Sequence, residues 1–392
     1  MTVRRAIFWL HLAAGLVAGS VILVMATTGL MISFERQLVA AVERGTYTVA
    51  PPVSGAQPLR PEALVARLRQ TMPDARPSGL TLRRDAAAPA TASLGRERTV
   101  FLNPYNGAVL GEGSWLRSFL HEVERFHRDL ALGDTGKAIT GACSLAFLAL
   151  MLTGIYLWFP RRWTAAAVKA VALPNLRLRG KPRDFNWHNA LGLWAALPIL
   201  ILTITGAVMS YSWANNLLFR ATGNEPPPPR AKPAAGKKPA APIALKLEGL
   251  DQLWLQAEAQ AGGWRTISAR MQNANALAFV VDAGDGTRPD LRRTLIFNLK
   301  SRELERTEAF ASYNLGRKLR MWVRPVHTGE AGGIAGQTVA AGATLGTVVL
   351  IWTGFALAWR RFRAWRRPPA KAQASGKESQ SPNSQAPAVL YR

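Results

Sequence analysis

The sequence predicts a membrane bundle of four α-helices, built from a duplicated helix–module–helix unit, with two small α+β modules outside the membrane. Apolar residues make up 48% of the chain, yet the mean hydropathy is only +0.03. Long apolar stretches must therefore alternate with polar ones. Four long runs without any charged residue supply the apolar stretches, and a set of histidine and glycine positions recurs in both halves.

The four uncharged runs cover residues 6–32, 138–160, 188–219 and 331–359. About 20 residues of α-helix are enough to cross the ~30 Å hydrocarbon core of a bilayer. Each run is therefore predicted to be one transmembrane helix. The resulting organisation is helices at 1–34, 137–160, 188–213 and 331–360, modules at 35–136 and 214–330, a basic loop at 161–187 and a disordered tail at 361–392.

Basic residues are concentrated next to these runs. Residues 1–10, 160–187 and 360–392 contain 17 Lys or Arg and only two acidic residues. Because such an excess marks the cytoplasmic side, we expect both termini in the cytoplasm and both modules in the periplasm of a bacterial inner membrane. The net charge of +25 is thus divided among separate segments and does not lie on one folded face. We therefore expect the protein to contact membrane lipid and to bind no nucleic acid.

Each module is predicted to be one helix packed on a small antiparallel sheet. In the first, residues 61–72 have helical apolar spacing, and strands are expected at 79–83, 91–94, 99–102 and 108–110. In the second, a helix is expected at 247–261 and strands at 264–271, 276–281 and 293–297. Residues 225–242, rich in Pro, Ala and Lys, are predicted to be a linker.

Histidines recur at equivalent positions of the two halves. His11 and His188 each begin an apolar run, and Thr-Gly follows both at the same spacing, at positions 28–29 and 205–206. His127 and His327 are also followed at matching spacings by a glycine, at 136 and 336, and by Thr-Gly, at 153–154 and 353–354. The chain is therefore predicted to contain two parallel repeats, in which four of the five histidines occupy equivalent places. His121 has no counterpart.

The predicted topology places these histidines at two depths. His11 and His188 both lie near the cytoplasmic face, and His127 and His327 both lie near the periplasmic face. An ionisable residue in a membrane helix indicates function, although the alternative is an imidazole that only hydrogen-bonds a neighbouring helix. Two imidazoles at one depth can bind the iron of a b-type haem from opposite sides. The four histidines are therefore the candidate axial ligands of two haems, and no further catalytic residue is assigned.

A flat macrocycle between helices also requires small neighbours. Candidates for leaving that space are Gly15, Gly192, Gly136 and Gly336. The Thr-Gly pairs either line a macrocycle or let helices approach closely. His121 is predicted to be a surface or supporting residue and is the first alternative ligand. The single cysteine, Cys143, excludes an intramolecular disulfide, covalent haem attachment and a cysteine-ligated cluster.

Five segments resemble the PepSY-associated transmembrane proteins, and within them the inner-membrane ferric-siderophore reductases. They are residues 10–16 (LHLAAGL), 127–136 (HRDLALGDTG), 152–162 (LTGIYLWFPRR), 187–193 (WHNALGL) and 326–330 (VHTGE). The resemblance implies a four-helix bundle with PepSY-like periplasmic modules that binds haem and passes electrons outward to an Fe(III)-siderophore. The electron donor stays open between membrane quinol and a separate cytoplasmic reductase.

Two other classes of function are compatible with the pattern. In the first, the modules dock or regulate a periplasmic partner, and the helices only anchor them. In the second, the parallel repeats form a small transporter. Against a transporter, the residues that would form its spans, 6–32, 138–160, 188–219 and 331–359, include no charged side chain. A haem absorption band separates the reductase from both alternatives.

Overall fold

The computed structural model describes residues 2–51, 53, 55–95, 98–160, 163–228 and 243–366. In chain order its helices and strands are α1 (Val3–Ile32), α2 (Glu35–Tyr47), α3 (Pro61–Thr71), β1 (Gly79–Arg83), β2 (Ala90–Leu94), β3 (Arg98–Leu102), β4 (Val109–Glu112), α4 (Trp115–Asp129), α5 (Gly133–Trp158), α6 (Ala165–Ala172), α7 (Gly180–Ser210), α8 (Ser212–Ala221), α9 (Leu250–Ala259), β5 (Thr266–Asn273), β6 (Ala276–Asp282), β7 (Arg292–Asn298), β8 (Leu304–Ala309), α10 (Leu315–His327) and α11 (Gly333–Arg366).

Four helical stretches of the described chain are long and apolar enough to cross a membrane. They are Val3–Tyr47, Gly133–Trp158, Gly180–Ser210 and Glu330–Arg366. The structure thus has four candidate membrane-spanning helices, one in each of the four predicted spans. Some boundaries differ from the predicted ones, because α7 begins at Gly180 and ends at Ser210, α8 begins at Ser212 within the third uncharged run, and α11 extends to Arg366. The rest of the predicted tail, and most of the predicted linker, lie outside the described residues.

The long helices form a bundle with internal twofold pseudosymmetry. Helices α1 and α7 each pack against both α5 and α11, so α1 and α7 occupy opposite corners. The duplication relates α1 to α7 and α5 to α11, which places a pseudo-twofold axis along the bundle. Small residues allow close packing: a Cβ atom at Gly19 of α1 would lie 2.7 Å from Cζ of Phe355 on α11.

Polar contacts join neighbouring helices at the end of the bundle remote from the sheet. Arg4 on α1 donates a hydrogen bond to the carbonyl of Leu157 on α5 at 2.7 Å. Asp184 on α7 is buried between Arg183 and Arg360, at 2.8 and 3.1 Å. A buried carboxylate is stable only when it is paired. These contacts therefore connect α1 to α5 and α7 to α11.

All eight strands form one antiparallel sheet, in the order β4-β3-β2-β1-β5-β6-β7-β8. The sequence predicts two separate sheets, but β1 pairs with β5 and joins them, with Leu80 opposite Ala269. The hydroxyls of Thr81 and Ser268 are hydrogen-bonded at 2.8 Å across this junction. Two separate modules would each expose an unpaired edge strand here, and the pairing removes both edges.

Helices α3 and α9 belong to one apolar core with the sheet. Leu64, Leu68, Trp254 and Phe279 in this core are almost completely buried. The two helices also cap each other, since the backbone N–H of Glu62 donates to Asp251 Oδ1 at 2.9 Å and that of Asp251 donates to Glu62 Oε1 at 3.1 Å. Each carboxylate thus satisfies an otherwise free N–H in the first turn of the other helix.

Candidate functional site

The structure brings the four repeated histidines together in two pairs. The far pair, remote from the sheet, consists of His11 on α1 and His188 on α7, with ring centroids 6.5 Å apart and ring planes at 87°. The sheet-end pair consists of His127 on α4 and His327 on α10, with centroids also 6.5 Å apart and ring planes at 58°. Each pair thus takes one imidazole from each half of the duplication, in the combination expected from the sequence.

Each imidazole of the far pair is held through Nδ1 by a threonine of a Thr-Gly pair. His11 Nδ1 lies 2.9 Å from Oγ1 of Thr153 on α5. His188 Nδ1 lies 3.0 Å from Oγ1 of Thr353 and 3.1 Å from the carbonyl oxygen of Leu350, both on α11. Each ring is thus fixed by the other transmembrane helix of its own half.

The sheet-end pair has the same arrangement. His127 Nδ1 lies 2.8 Å from the carbonyl oxygen of Met25 and 3.4 Å from Oγ1 of Thr28, both on α1. His327 Nδ1 lies 2.9 Å from the carbonyl oxygen of Leu202 and 3.0 Å from Oγ1 of Thr205, both on α7.

Burial, followed by repulsion from His127, lowers the pKa of His327 to about 4. This ring is therefore neutral at pH 7.

These contacts fix the position of the proton on every ring. A carbonyl oxygen only accepts, so the Nδ1 atoms of His127, His188 and His327 carry hydrogen and donate it. The Thr153 hydroxyl donates its only hydrogen to the Ala149 carbonyl at 2.7 Å, so it accepts a hydrogen bond from Nδ1 of His11. None of the described residues hydrogen-bonds an Nε2 atom of the four rings. Each Nε2 thus has a free lone pair suited to binding a metal.

The glycine of each Thr-Gly pair lies against an imidazole. A Cβ atom would lie 3.0 Å from Cε1 of His127 at Gly29 and 3.2 Å from Cε1 of His327 at Gly206. At the far pair, Gly154 and Gly354 would place it 3.3 and 3.5 Å from Cε1 of His11 and His188. Threonine and glycine therefore form a seat for each ring: the hydroxyl orients it, and at Gly29, Gly206 and Gly154 the missing side chain lets it lie against the helix. At Gly354 the distance of 3.5 Å is ordinary contact.

The spacing of each pair fits two axial ligands of one metal ion. An imidazole nitrogen binds a first-row metal at about 2 Å, which places the centroids of two opposed rings about 6 Å apart. The observed 6.5 Å agrees with this geometry. No group of three or more His, Cys, Asp or Glu able to hold a metal occurs among the described residues. An iron held by a macrocycle needs only two protein ligands, so the residues fit a haem.

The four glycines predicted to leave space for a macrocycle differ in their surroundings. Hypothetical Cβ atoms at Gly15 and Gly192 would be 3.8 and 3.7 Å from the nearest leucine side chains, which is ordinary contact. Gly136 and Gly336 instead lie against the preceding turn, where a Cβ would overlap the carbonyl oxygens of Asp129 and Gly329. Backbone contact between successive helices accounts for these two glycines.

His121 does not belong to either pair. Its Nδ1 lies 3.8 Å from Oε2 of Glu124 on the same helix, and its side chain is 43% exposed. This placement agrees with the surface or supporting position expected for it.

The sequence could have shown the role of the threonines. Thr28 and His11 lie on one helix, and the helix between them rises by about 25 Å, so Thr28 lies at the depth of the other pair. This spacing predicts that the Thr-Gly pairs and the histidines meet at both ends of the bundle. The sequence could not show that the hydroxyl contacts Nδ1, because that depends on the rotation of each helix.

A family model for the PepSY-associated TM region matches residues 8–361. The chain belongs to this family. No curated protein matches the chain significantly. Both histidine pairs and all four Thr-Gly seats lie inside the matched segment, so the candidate site is a feature of the PepSY-associated transmembrane region of this chain.

Proposed function

We propose that this protein is a di-haem b electron-transfer protein of the bacterial inner membrane that reduces an Fe(III)-siderophore at the periplasmic face and releases Fe(II). The observation that carries the proposal is the set of four imidazoles with free Nε2 lone pairs, arranged in two pairs at 6.5 Å. Haem bound by each pair would supply a one-electron iron couple.

The chain's own residues set the conditions for such transfer. Thr153, Thr353, Thr28 and Thr205 orient the ligand rings, which is how supporting residues usually tune a metal site. Between the pairs, the bundle interior is filled by apolar side chains such as Met151 and Ile199, which exclude water. The two pairs are about 25 Å apart along α1, so the bundle connects two faces of the membrane.

The proposed reaction requires one electron for each iron. Fe(III) in the siderophore is reduced to Fe(II), which the hard oxygen ligands of a siderophore hold more weakly, and the electron comes from membrane quinol or a cytoplasmic reductase. Both termini then lie in the cytoplasm and the sheet in the periplasm. This orientation is supported by the basic residues at the end of the bundle remote from the sheet, such as Arg4 and Arg360.

A reduced-minus-oxidised absorption spectrum of the purified full chain tests the proposal. We expect a b-type haem band and, by pyridine haemochrome assay, two haems per chain. Addition of a ferric siderophore to the reduced protein should reoxidise the haem and give Fe(II), detected with a chromogenic Fe(II) chelator. A chain that binds no haem in membranes supplied with haem would refute the proposal and leave a membrane-anchored interaction protein as the interpretation of the fold.

A further inference from the structure

The two halves of the chain are alike at the histidines but differ in charge next to the sheet-end pair. Helices α4 and α10 are equivalent, and each ends at or near a histidine of this pair. Positions three, seven and ten residues before that histidine share one face of the helix. On α4 they hold Glu124, Leu120 and Arg117, whereas on α10 they hold Arg324, Arg320 and Arg317. Only the second half therefore has a row of arginines that leads to the pair.

The arginines of this row differ in their contacts. Arg317 is 3.0 Å from Glu308 and stacks on the Tyr313 ring at 3.7 Å. Arg320 Nε donates to Asn215 Oδ1 at 2.8 Å. Arg324, one turn from His327, is exposed, and its guanidinium makes no hydrogen bond or ion pair with any described residue. The arginine nearest the histidine pair is thus the one with free donors.

Among the described residues, no carboxylate near this row bonds Arg324 directly. Arg117 on α4 is already paired with Glu43 at 2.6 Å. Arg324 is close enough to the carboxylate of Glu35 to influence it, and so is Glu124, but neither carboxylate bonds the guanidinium. A free guanidinium is well suited to a carboxylate, which it can bind through two parallel hydrogen bonds.

We propose that Arg324, with Arg320 behind it, binds a carboxylate group beside the sheet-end histidine pair. This inference rests on the proposed function. The carboxylate comes from one of two sources, a propionate of the haem at this pair or a carboxylate of the ferric complex that takes the electron. Either carboxylate would bind the guanidinium in the same way. The two sources are distinguished by the effect of removing the positive charge of Arg324.

The test compares Arg324→Gln with Arg324→Lys in the haem-containing full chain. Lys318→Gln, which removes one positive charge from a different face of α10, is the matched control. Two probes are used as acceptors, anionic ferric citrate and a neutral ferric trihydroxamate. The midpoint potential of the haem at the sheet-end pair is measured in each variant by redox titration.

If the ligand is a propionate, Arg324→Gln changes the midpoint potential and affects both acceptors equally. If it is the acceptor, the potential stays constant and KM for ferric citrate rises about ten-fold or more, while KM for the trihydroxamate does not change. Either result supports the site, and Arg324→Lys should restore part of the loss. The inference is overturned if Arg324→Gln changes neither the midpoint potential nor KM. It is also overturned if the same effect follows from Lys318→Gln, or from Glu35→Gln, which removes the carboxylate that Arg324 influences.

The proposed function can fail independently of this site. A wild-type chain without a haem band would refute the proposed function before any variant is made. Citrate binding to the haem-free full chain, measured by calorimetry, would then test the site alone: weaker binding in Arg324→Gln than in Lys318→Gln supports it, and equal binding overturns it.

Discussion

If the proposed function is correct, replacing Gly29 with alanine should weaken haem binding at the sheet-end pair without changing a proposed ligand. The added Cβ would lie 3.0 Å from Cε1 of His127, and ordinary contacts of this kind begin at 3.4 Å. The imidazole must therefore retreat by about 0.4 Å, whereas metal–ligand distances are kept within about 0.2 Å. Changes in residues that support metal ligands typically cost about 10- to 100-fold in affinity. We expect a loss of that order for one of the two haems.

Gly354→Ala provides the matched control at the far pair. There the added Cβ would lie 3.5 Å from Cε1 of His188, which is ordinary contact, so no displacement is required. Both variants are titrated with haemin, and bound haem is measured by pyridine haemochrome assay. We expect a second, weaker binding step in Gly29→Ala and two tight steps in Gly354→Ala. Equal haem affinity in Gly29→Ala and the wild type, or equal losses in both variants, would refute the argument from the glycine seats.

Three further predictions concern the electron path, the orientation and the sheet. His188→Ala should remove the haem of the far pair alone, so that haem content falls by half and reduction of a ferric siderophore by quinol stops; quinol-driven reduction at the wild-type rate would contradict a series arrangement. A cysteine at exposed Pro228 should react with an impermeant thiol reagent from the periplasmic side and a cysteine at Arg177 should not, whereas the opposite labelling would invert the orientation. Burial raises the pKa of Asp251, and the hydrogen bond from the Glu62 N–H opposes this in part. The folded protein should therefore lose stability as the pH rises from the pKa of Asp251 in the unfolded chain through its higher pKa in the folded protein. Asp251→Asn should reduce this loss, measured as the urea midpoint of sheet unfolding at acidic and neutral pH, and an unchanged pH dependence would show that Asp251 does not cause it.

The sequence was sufficient for the parts of the fold that follow from local pattern. The four spans could be predicted because an uncharged run longer than about 20 residues has few alternatives to a membrane helix. Strands such as Gly79–Arg83, which the structure has at the predicted residues, are marked by alternation and by neighbouring turn residues. The equivalence of the halves could be predicted because the spacings from histidine to Thr-Gly are identical in both.

Long-range pairing could not be predicted in the same way. The junction of β1 with β5 joins residues that are far apart in the sequence, such as Thr81 and Ser268, and neither strand carries a pattern that names its partner. Helices α4 and α10 were not predicted, although both are amphipathic, with buried residues such as Leu120 and Val123 at helical spacing among charged ones. These helices carry His127 and His327, so the sequence contained a signal for the elements that present the histidines, and the prediction did not use it.

The pseudo-twofold axis explains why each half contributes a single histidine at each depth. A point on the axis is equally distant from every pair of equivalent residues in the two halves. A ligand that is held in the same way by one residue of each repeat must therefore lie on this axis. His11 and His188 meet in this way although α1 and α7 occupy opposite corners of the bundle. Residues away from the axis are free to diverge, and Glu124 and Arg324 have done so within one turn of the sheet-end pair. The symmetric part of the structure is thus the part that would hold the cofactors, and the asymmetric part is where recognition of a particular partner can arise.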